Sequence, residues 1–210
     1  MNTALVVVDV QNDFCSGGPL AVPDAEGVVP VVNALMERFR HVILTQDWHP
    51  PGHVSFASSH SGRRVHARLP TPFGEQILWP DHCVADTTGA ALHAGIRVPS
   101  AAAVLRKGVH HGADAYSAFF ENDGLTPVGL DAMLRVRSVR AIVLAGLATD
   151  YCVLHTALDA RRLGYEVTVI EAGCRGIDLD GSLAEAWKRM ALAGVQRDWP
   201  AEEDVARRLG

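Results

Sequence analysis

Cys152 stands at a predicted junction between a strand and a helix, where a thiol can act as a nucleophile. The apolar run 141–144 predicts the strand, and helical spacing begins at Tyr151 after a candidate N-cap at Thr149-Asp150. Unpaired N–H groups and the helix dipole at such a position favour a thiolate over a thiol. A thiolate there can attack a carbonyl carbon while neighbouring N–H groups hold the oxyanion. Because a lone buried cysteine is often only a small apolar residue, this hypothesis depends on its partners.

Two charged residues are expected to lie beside this thiol. Asp9 ends the apolar run 4–8, and Lys107 follows the short run 102–105. In an open parallel sheet the carboxyl ends of the strands meet at one edge, so all three side chains should project there. A carboxylate can take the thiol proton, and an ammonium can stabilise the thiolate. Alone, Asp9 would be read as a structural carboxylate and Lys107 as a solvated surface residue, so the prediction of a Cys/Asp/Lys site depends on their joint placement.

A second group of residues has the types and spacing of metal ligands. Asp47 and His49 alternate along an extended segment just beyond a predicted strand, so both side chains can point to one face. His82, in the block WPDHC, is the candidate third ligand. Two imidazoles and one carboxylate with open positions suit Zn²⁺, Fe²⁺ or Mn²⁺, and spacing does not choose among them. His53 is a further candidate, and a His-rich surface loop is the alternative interpretation of the segment.

The elements that must position these residues follow from hydrophobic periodicity. Short apolar runs predict strands at 4–8, 41–45, 102–105, 141–144, 166–170 and from 195 onward. Helical spacing predicts helices at 28–40, 130–136, 151–163 and 183–192. The last of these helices is expected to be capped by Asp180 or Ser182. We therefore predict an α/β fold, an open doubly wound, mostly parallel sheet of about six strands with helices on both faces.

Length and composition are consistent with a single domain over residues 1–210. The chain is 48% hydrophobic and 20% charged, enough for one sizeable core. Between residues 47 and 89 no long periodic element appears, although aromatic residues are frequent. We interpret this stretch as an ordered, inserted lobe that binds metal and substrate. The charged tail from Asp198 is interpreted as a short helix or an irregular segment.

Charge and cysteine usage exclude several classes of function. A net charge of -5 and a pI near 6.0 leave no basic surface for nucleic acid or an anionic membrane. Four widely separated cysteines without a CxxC pair favour reduced thiols and a cytoplasmic location. No apolar run approaches the roughly 18 residues of a membrane span, and the amino terminus lacks a basic region. Small-molecule chemistry is favoured, and the oligomeric state stays open, a homo-oligomer included.

Five blocks of the sequence, taken together, resemble those of one group of hydrolases. They occur in the same order and at compatible spacing up to about Gly176: VVVDVQNDFCSGGPLAV, TQDWHPPGHVSFA, LWPDHCV, LRKG with its following YSAFF, and GLATDYCVLHTALDA. They resemble the bacterial nicotinamidases, also called pyrazinamidases, within the isochorismatase-like cysteine hydrolases. The resemblance implies hydrolysis of nicotinamide to nicotinate and ammonia in pyridine nucleotide salvage, with pyrazinamide as a further substrate.

The same resemblance implies a role for each matching residue. Cys152 would be the nucleophile, Asp9 the general base and later acid, and Lys107 the group that stabilises the thiolate and positions Asp9. Asp47, His49 and His82 match the family's ligands for one divalent metal ion. In the family this ion binds the pyridine nitrogen of the substrate. Zinc is the first expectation, with iron and manganese as alternatives. His53 falls where some members have an additional ligand and others have water.

The substrate pocket and oxyanion hole are also implied by the resemblance. Phe14 and Trp79 match aromatic positions that sandwich the ring, a suitable use of flat apolar side chains. Leu147 is placed with them at the pocket, and a cis peptide is expected between Leu147 and Ala148. The N–H groups of Ala148 and Cys152 would then form the oxyanion hole.

Three alternatives compete with this interpretation. A relative of the same fold that lacks the metal triad would act on isochorismate, on a ureido or carbamoyl amide, or on another small amide, and the intact triad argues against these. The run VVVDV superficially resembles the nucleophilic Asp motif of haloacid-dehalogenase-type phosphatases, but Gln11 stands where their second Asp is needed. A metal- or nicotinamide-binding sensor without turnover is the non-enzyme alternative, which the complete catalytic set disfavours.

Overall fold

The computed structural model describes residues 2–99 and 102–198, which form a parallel sheet with helices packed against it. In chain order the strands are β1 (Thr3–Val8), β2 (His41–Asp47), β3 (Arg68–Thr71), β4 (Gly74–Ile77), β5 (Ala103–Lys107), β6 (Ala141–Leu147), β7 (Glu166–Arg175) and β8 (Gln196–Arg197). The α-helices are α1 (Val28–Met36), α2 (Leu130–Val136), α3 (Leu154–Arg162) and α4 (Ser182–Leu192). The predicted edge strand from 195 onward is β8.

The six-stranded sheet has the order β5-β2-β1-β6-β7-β8, and every pair in it is parallel. From β1 the chain adds β2 and β5 on one side, and then returns to add β6, β7 and β8 on the other. The direction of winding therefore reverses between β1 and β6. A crevice outside the carboxyl ends of the strands is expected at such a reversal. The predicted doubly wound parallel sheet is confirmed.

The two strands at this reversal are the most apolar parts of the chain. Ala4 to Val8 of β1 are fully buried, and all residues of β6 are buried. A strand covered on both faces has no solvent side, which is why these runs are continuously apolar rather than alternating. Each buried Val or Leu contributes about 1.5–3 kcal/mol of hydrophobic stabilisation. The backbone that carries the crevice is thus rigidly held.

The connection from β6 to α3 differs from the sequence prediction. A π-helical turn, Thr149–Val153, precedes the helix, and α3 begins at Leu154 rather than Tyr151. Asp150 does not cap this helix. Its carboxylate instead accepts hydrogen bonds from the N–H groups of Ile177 and Asp178, at 3.0 and 2.7 Å. Asp150 therefore ties the turn to the segment after β7, and π-turns of this kind are frequent at functional sites.

Other differences are at element ends and in the predicted lobe. Helix α1 ends at Met36 rather than Arg40, and the predicted cap of α4 is wrong because Gly181 occupies the N-cap without a side-chain bond. The lobe contains an antiparallel hairpin, β3 with β4, that periodicity did not reveal because each strand has four residues. The division into one domain with an inserted lobe stays a prediction, and the predicted tail structure lies outside the described residues.

All four cysteines are free and buried, as expected of reduced thiols. Within residues 2–99 and 102–198, no helix has the length and apolar character needed to cross a bilayer.

Gly146 permits the close approach of β6 to β1, and we predict that Gly146→Ala is strongly destabilising. Its φ is +127°, and an added Cβ would lie 2.1 Å from the carbonyl oxygen of Val8. Gly164 is the matched control, because its φ is +89° with nothing within 4 Å of an added Cβ. Gly164→Ala should lower the free energy of unfolding by about 1–3 kcal/mol through backbone strain alone. Urea unfolding should show a clearly larger loss for Gly146→Ala, and equal losses would contradict the close-approach argument.

Candidate active site

A fully buried ammonium group lies at the centre of the crevice. Lys107 Nζ is 2.5 Å from Asp47 Oδ1, 2.9 Å from Asp9 Oδ2, 2.9 Å from the carbonyl oxygen of Ala115 and 3.3 Å from Cys152 Sγ. Ammonium has three hydrogens for these four neighbours. Its hydrogen bonds go to the Asp47 carboxylate, the Ala115 carbonyl and the Cys152 sulfur, and Asp9 is held beside it as an ion pair. The structure brings the predicted Cys/Asp/Lys cluster together.

The sheet register explains why these side chains meet. Asp47 and Lys107 are the last residues of β2 and β5 and are paired directly across the two strands. Asp9 follows β1 with a φ of +46°, a left-handed conformation that is uncommon for a residue other than glycine. Thr45 holds it there: its hydroxyl donates to Asp9 Oδ1 at 2.6 Å and accepts from the Asp9 N–H at 3.2 Å. Sequence reasoning did not identify Thr45, which appears only as a polar residue in an apolar run.

Asp9 has the properties of a proton acceptor near neutral pH. Burial raises its pKa to about 6, although the Lys107 ammonium opposes the rise. The Oδ2 atom is buried beside Lys107, yet it accepts no hydrogen bond of good geometry. One Asp9 oxygen and Cys152 Sγ lie within 4.8 Å of each other. A carboxylate so placed can take a thiol proton and later return it.

Cys152 differs from the expectation of a thiolate. Burial raises the pKa of this thiol well above its usual value, and the carboxylates of Asp9 and Asp47 raise it further, against the lowering effect of Lys107. The expected effect of a helix N-terminus is therefore outweighed by the loss of water and by two nearby negative charges. The resting group is a thiol that needs a base to become a nucleophile.

Lys107 is held as a cation throughout. Burial alone would lower its pKa, but the carboxylates of Asp47 and Asp9 raise it well above the usual value. The Asp47 carboxyl shows the complementary effect, because Lys107 lowers its pKa in spite of burial. The ammonium and the Asp47 carboxylate are thus a buried ion pair, and Asp9 is the group that titrates.

Asp47, His49 and His82 have the donor arrangement of a divalent metal site. One ligand atom from each lies within 4.8 Å of the others. His49 Nδ1 is 2.9 Å from the carbonyl oxygen of Gly108, and His82 Nδ1 is 2.8 Å from that of Pro80. Because a carbonyl oxygen only accepts, each Nδ1 carries the hydrogen and each Nε2 presents a lone pair. Burial also lowers the pKa of His82 to about 4, so it is a neutral ligand at pH 7.

His53 is placed differently from these two imidazoles. Its Nε2 lies 3.1 Å from the carbonyl oxygens of both His110 and Ala113, so that nitrogen carries the hydrogen. Its Nδ1 accepts from the Ser55 hydroxyl at 2.7 Å. Both nitrogens are therefore occupied within the protein. The ring instead stacks on His49 at a centroid distance of 4.2 Å, which fixes the plane of that imidazole.

A small cavity of about 20 Å³ adjoins the thiol and the three metal-type donors. The predicted pocket residues Phe14, Trp79 and Ala148 are in its wall. The expected cis peptide between Leu147 and Ala148 is present. The side chain of Leu147, predicted to contact substrate, is buried at the end of β6 and is not part of this wall.

The wall also contains residues that sequence reasoning did not single out: Leu20, Asp114, Tyr116, Tyr151 and Ile177. Leu20, Tyr116 and Tyr151 were present in the quoted blocks VVVDVQNDFCSGGPLAV, YSAFF and GLATDYC, whereas Asp114 and Ile177 carried no recognisable signal. They reach the site only through the folding of separate loops over the crevice.

Comparisons with known proteins show which family the chain resembles. The isochorismatase domain model matches residues 3–198. The chain is 46% identical over 196 residues to the nicotinamidase of Acinetobacter baylyi, covering 93% of this chain and 92% of that protein. The solved structure of a nicotinamidase and pyrazinamidase from Acinetobacter baumanii has a TM-score of 0.92 and 47% identity over 93% of this chain and 95% of that one. The pyrazinamidase of Pyrococcus horikoshii, solved in complex with zinc, has a TM-score of 0.79 and 31% identity over 95% of this chain and 100% of that one.

We predict that Gly108→Ala weakens metal binding through His49. Gly108 has a φ of +64°, and an added Cβ would lie 2.4 Å from Cε1 and 2.6 Å from Nδ1 of the His49 ring. The displaced imidazole would lose its carbonyl partner, so zinc affinity should fall about 10–100-fold, measured by chelator competition on the folded protein. Gly112→Ala is the control, since an added Cβ there has nothing within 4 Å and should leave affinity unchanged. A Gly108→Ala protein that holds zinc as tightly as wild type would rule out this role of the ring.

Proposed function

The chain belongs to the isochorismatase family, and we propose that it hydrolyses nicotinamide to nicotinate and ammonia through a thioester on Cys152. The observation that carries the proposal is a buried thiol beside both a titratable carboxyl, Asp9, and a permanent cation, Lys107. These are the groups that attack on an unactivated amide requires. The named relatives are nicotinamidases, and this reaction returns the pyridine ring to NAD salvage.

The first chemical step is attack on the carboxamide carbon. Ionised Asp9 takes the proton from Cys152 Sγ as the new carbon–sulfur bond forms. The Lys107 ammonium, 3.3 Å from the sulfur, stabilises the thiolate during this transfer. The backbone N–H groups of Ala148 and Cys152 are the proposed donors to the developing oxyanion. Asp9 then gives its proton to the departing nitrogen, and ammonia leaves as the carbon–nitrogen bond breaks.

The second step returns the enzyme to its resting state. Asp9, ionised again, takes a proton from a water molecule that attacks the thioester carbon. The carbon–sulfur bond breaks, the thiolate of Cys152 takes this proton back from Asp9, and the acid product leaves. A carboxyl with a pKa of about 6 can act in both directions at neutral pH.

The donor triad suits one divalent metal ion, and we propose zinc. Two neutral imidazoles and one carboxylate leave open coordination positions, as in catalytic zinc sites. When bound, the ion would supply Lewis acidity for ligands such as a pyridine nitrogen or water. His49 and His82 would hold it through Nε2, and Asp47 through Oδ2, which lies 3.9 Å from His49 Nε2. Asp47 Oδ1 stays with Lys107.

The proposed ring slot lies between aromatic side chains. Phe14 and Trp79 both border the cavity, and flat apolar surfaces favour a pyridine or pyrazine ring. Pyrazinamide is accordingly a proposed second substrate. We further propose that the protein acts in the cytoplasm, where its four free thiols would stay reduced.

Cys152→Ala should abolish ammonia release from nicotinamide. Without the sulfur no thioester can form, and loss of a nucleophile of this kind costs about four or more orders of magnitude in kcat. Cys174→Ala is the matched control: Cys174 is also a buried free cysteine but lies in β7 outside the cavity wall, so its kcat should stay within about twofold of wild type. Steady-state assays on folded, zinc-loaded samples make the comparison. Residual turnover of Cys152→Ala near the wild-type rate would refute the thioester route.

The pH dependence should report the titration of Asp9. Because its pKa is about 6 and the ionised form is the base, the competent fraction falls as pH drops through that value. We expect kcat/KM for nicotinamide to be level near pH 7.5 and to fall about tenfold per unit well below pH 6. Circular dichroism in the same buffers separates titration from unfolding. A folded enzyme with constant kcat/KM from pH 7.5 to 5 would contradict the assignment of Asp9 as base.

A further inference from the structure

A hydrogen-bond chain ties the indole of the ring slot to a glutamine of the hairpin. Trp79 Nε1 donates to the hydroxyl oxygen of Tyr116 at 2.9 Å. Gln76 Nε2 donates to Asp114 Oδ2 at 2.9 Å and lies 3.3 Å from the same Tyr116 oxygen. Gln76 Oε1 in turn accepts from Asn122 Nδ2 at 3.2 Å. These bonds therefore tie the segment 76–79, which carries the indole, to the segment 114–122.

The Trp79 indole is 2% exposed, so side chains pack around it, and its N–H is directed by the hydrogen bond to Tyr116. The Trp79 backbone is fixed, since its N–H donates to Ser55 at 2.7 Å and its carbonyl accepts from Ala57 at 2.8 Å. Tyr151 meets the indole edge-on at a centroid distance of 4.9 Å. His66 also meets it edge-on, at a centroid distance of 5.7 Å. The bond to Tyr116 is the directional contact that sets the tilt.

Gln76 is suited to hold Tyr116 in place. It is 5% exposed although it belongs to a hairpin whose other residues are largely exposed, so its side chain is turned into the protein. Its amide nitrogen donates to the Ile77 carbonyl at 2.8 Å and to Asp114 in the cavity wall, and the Tyr116 hydroxyl lies within its reach at 3.3 Å. The hairpin, which sequence periodicity did not reveal, thereby contributes one buried side chain to the support of the site.

We propose that Tyr116 is a positioning residue for substrate recognition, acting through Trp79, and that Gln76 supports it from the hairpin. This inference rests on the proposed function and extends it to the shape of the ring slot. A flat heteroaromatic amide stacks well only if the indole keeps its plane. The cavity of about 20 Å³ holds about one water, so binding of any ring requires side chains to shift. With Trp79 held by Tyr116, other side chains of the wall, such as Phe14 and Leu20, are the ones that would shift.

The consequence is a specific kinetic signature. Trp79 would touch the ring and not the reacting carbon, so it stabilises the bound substrate and the transition state alike. Loss of such uniform binding raises KM and leaves kcat nearly unchanged. If the Tyr116 hydroxyl had only a structural role, its removal would lower the free energy of unfolding. It would not raise KM while leaving kcat unchanged.

The test is Tyr116→Phe, which removes one oxygen and keeps the ring. We expect KM for nicotinamide to rise about tenfold, with kcat within about twofold of wild type. Alkylation of Cys152 by iodoacetamide, which does not use the ring slot, should proceed at the wild-type rate. The indole N–H resonance of Trp79, assigned with Trp79→Phe, should shift because it has lost its acceptor. Gln76→Met should raise KM in the same direction by a smaller factor.

Tyr165→Phe is the matched control. Its hydroxyl donates to Asp131 Oδ1 at 2.7 Å, and Tyr165 lies outside the cavity wall. This variant should keep the wild-type KM even if its free energy of unfolding falls as much as that of Tyr116→Phe. An unchanged KM in Tyr116→Phe, or an equal rise in Tyr165→Phe, would overturn the positioning role while wild-type turnover continues. No ammonia release by the zinc-loaded wild type would instead defeat the proposed function.

Discussion

The site depends on burying the Lys107 ammonium between two carboxylates. Removing an ammonium from water costs several kcal/mol unless the group is paired and hydrogen-bonded. Here Asp47 and Asp9 supply the charge, and the Ala115 carbonyl supplies a further acceptor. The requirement explains why three strand ends must meet at one edge, since Lys107 reaches from β5 across β2 toward β1. Any packing that separated these strands would leave a buried charge without its partner.

Two carboxylates beside one cation leave an excess of negative charge, and the structure places its effect on Asp9. Asp47 is held ionised by direct contact with Lys107, whereas burial raises the pKa of Asp9 to about 6. Burial, with the two carboxylates adding to its effect, raises the pKa of the Cys152 thiol and keeps it protonated. A protonated thiol beside a carboxyl that titrates near neutrality can pass its proton to that carboxyl, which can then deliver it to a leaving group. The Lys107–Asp47 ion pair thus leaves Asp9 as the base. The base is needed because the Cys152 thiol is protonated.

Sequence reasoning predicted the parts of this site that follow from local pattern. Apolar runs locate strand ends, so Asp9 and Lys107 could be placed at one edge before the structure was known, and the resemblance gave the cis peptide at Ala148. The protonation of Cys152 could not be predicted, because it depends on burial that only the fold defines. Nor could the contribution of Gln76, since a four-residue strand carries no usable periodicity and its amide acts through contacts distant in the chain.

The histidines show how the fold assigns different tasks to one residue type. Each imidazole has two nitrogens, and the one that faces a carbonyl must carry the hydrogen. His49 and His82 each face one carbonyl and turn the other nitrogen toward Asp47, so they can bind a metal. His53 faces carbonyls with one nitrogen and a hydroxyl with the other, so it supports His49 by stacking. We infer a site with three protein ligands rather than four. Three ligands leave coordination positions open for substrate or water, which is the difference between a catalytic and a structural zinc site.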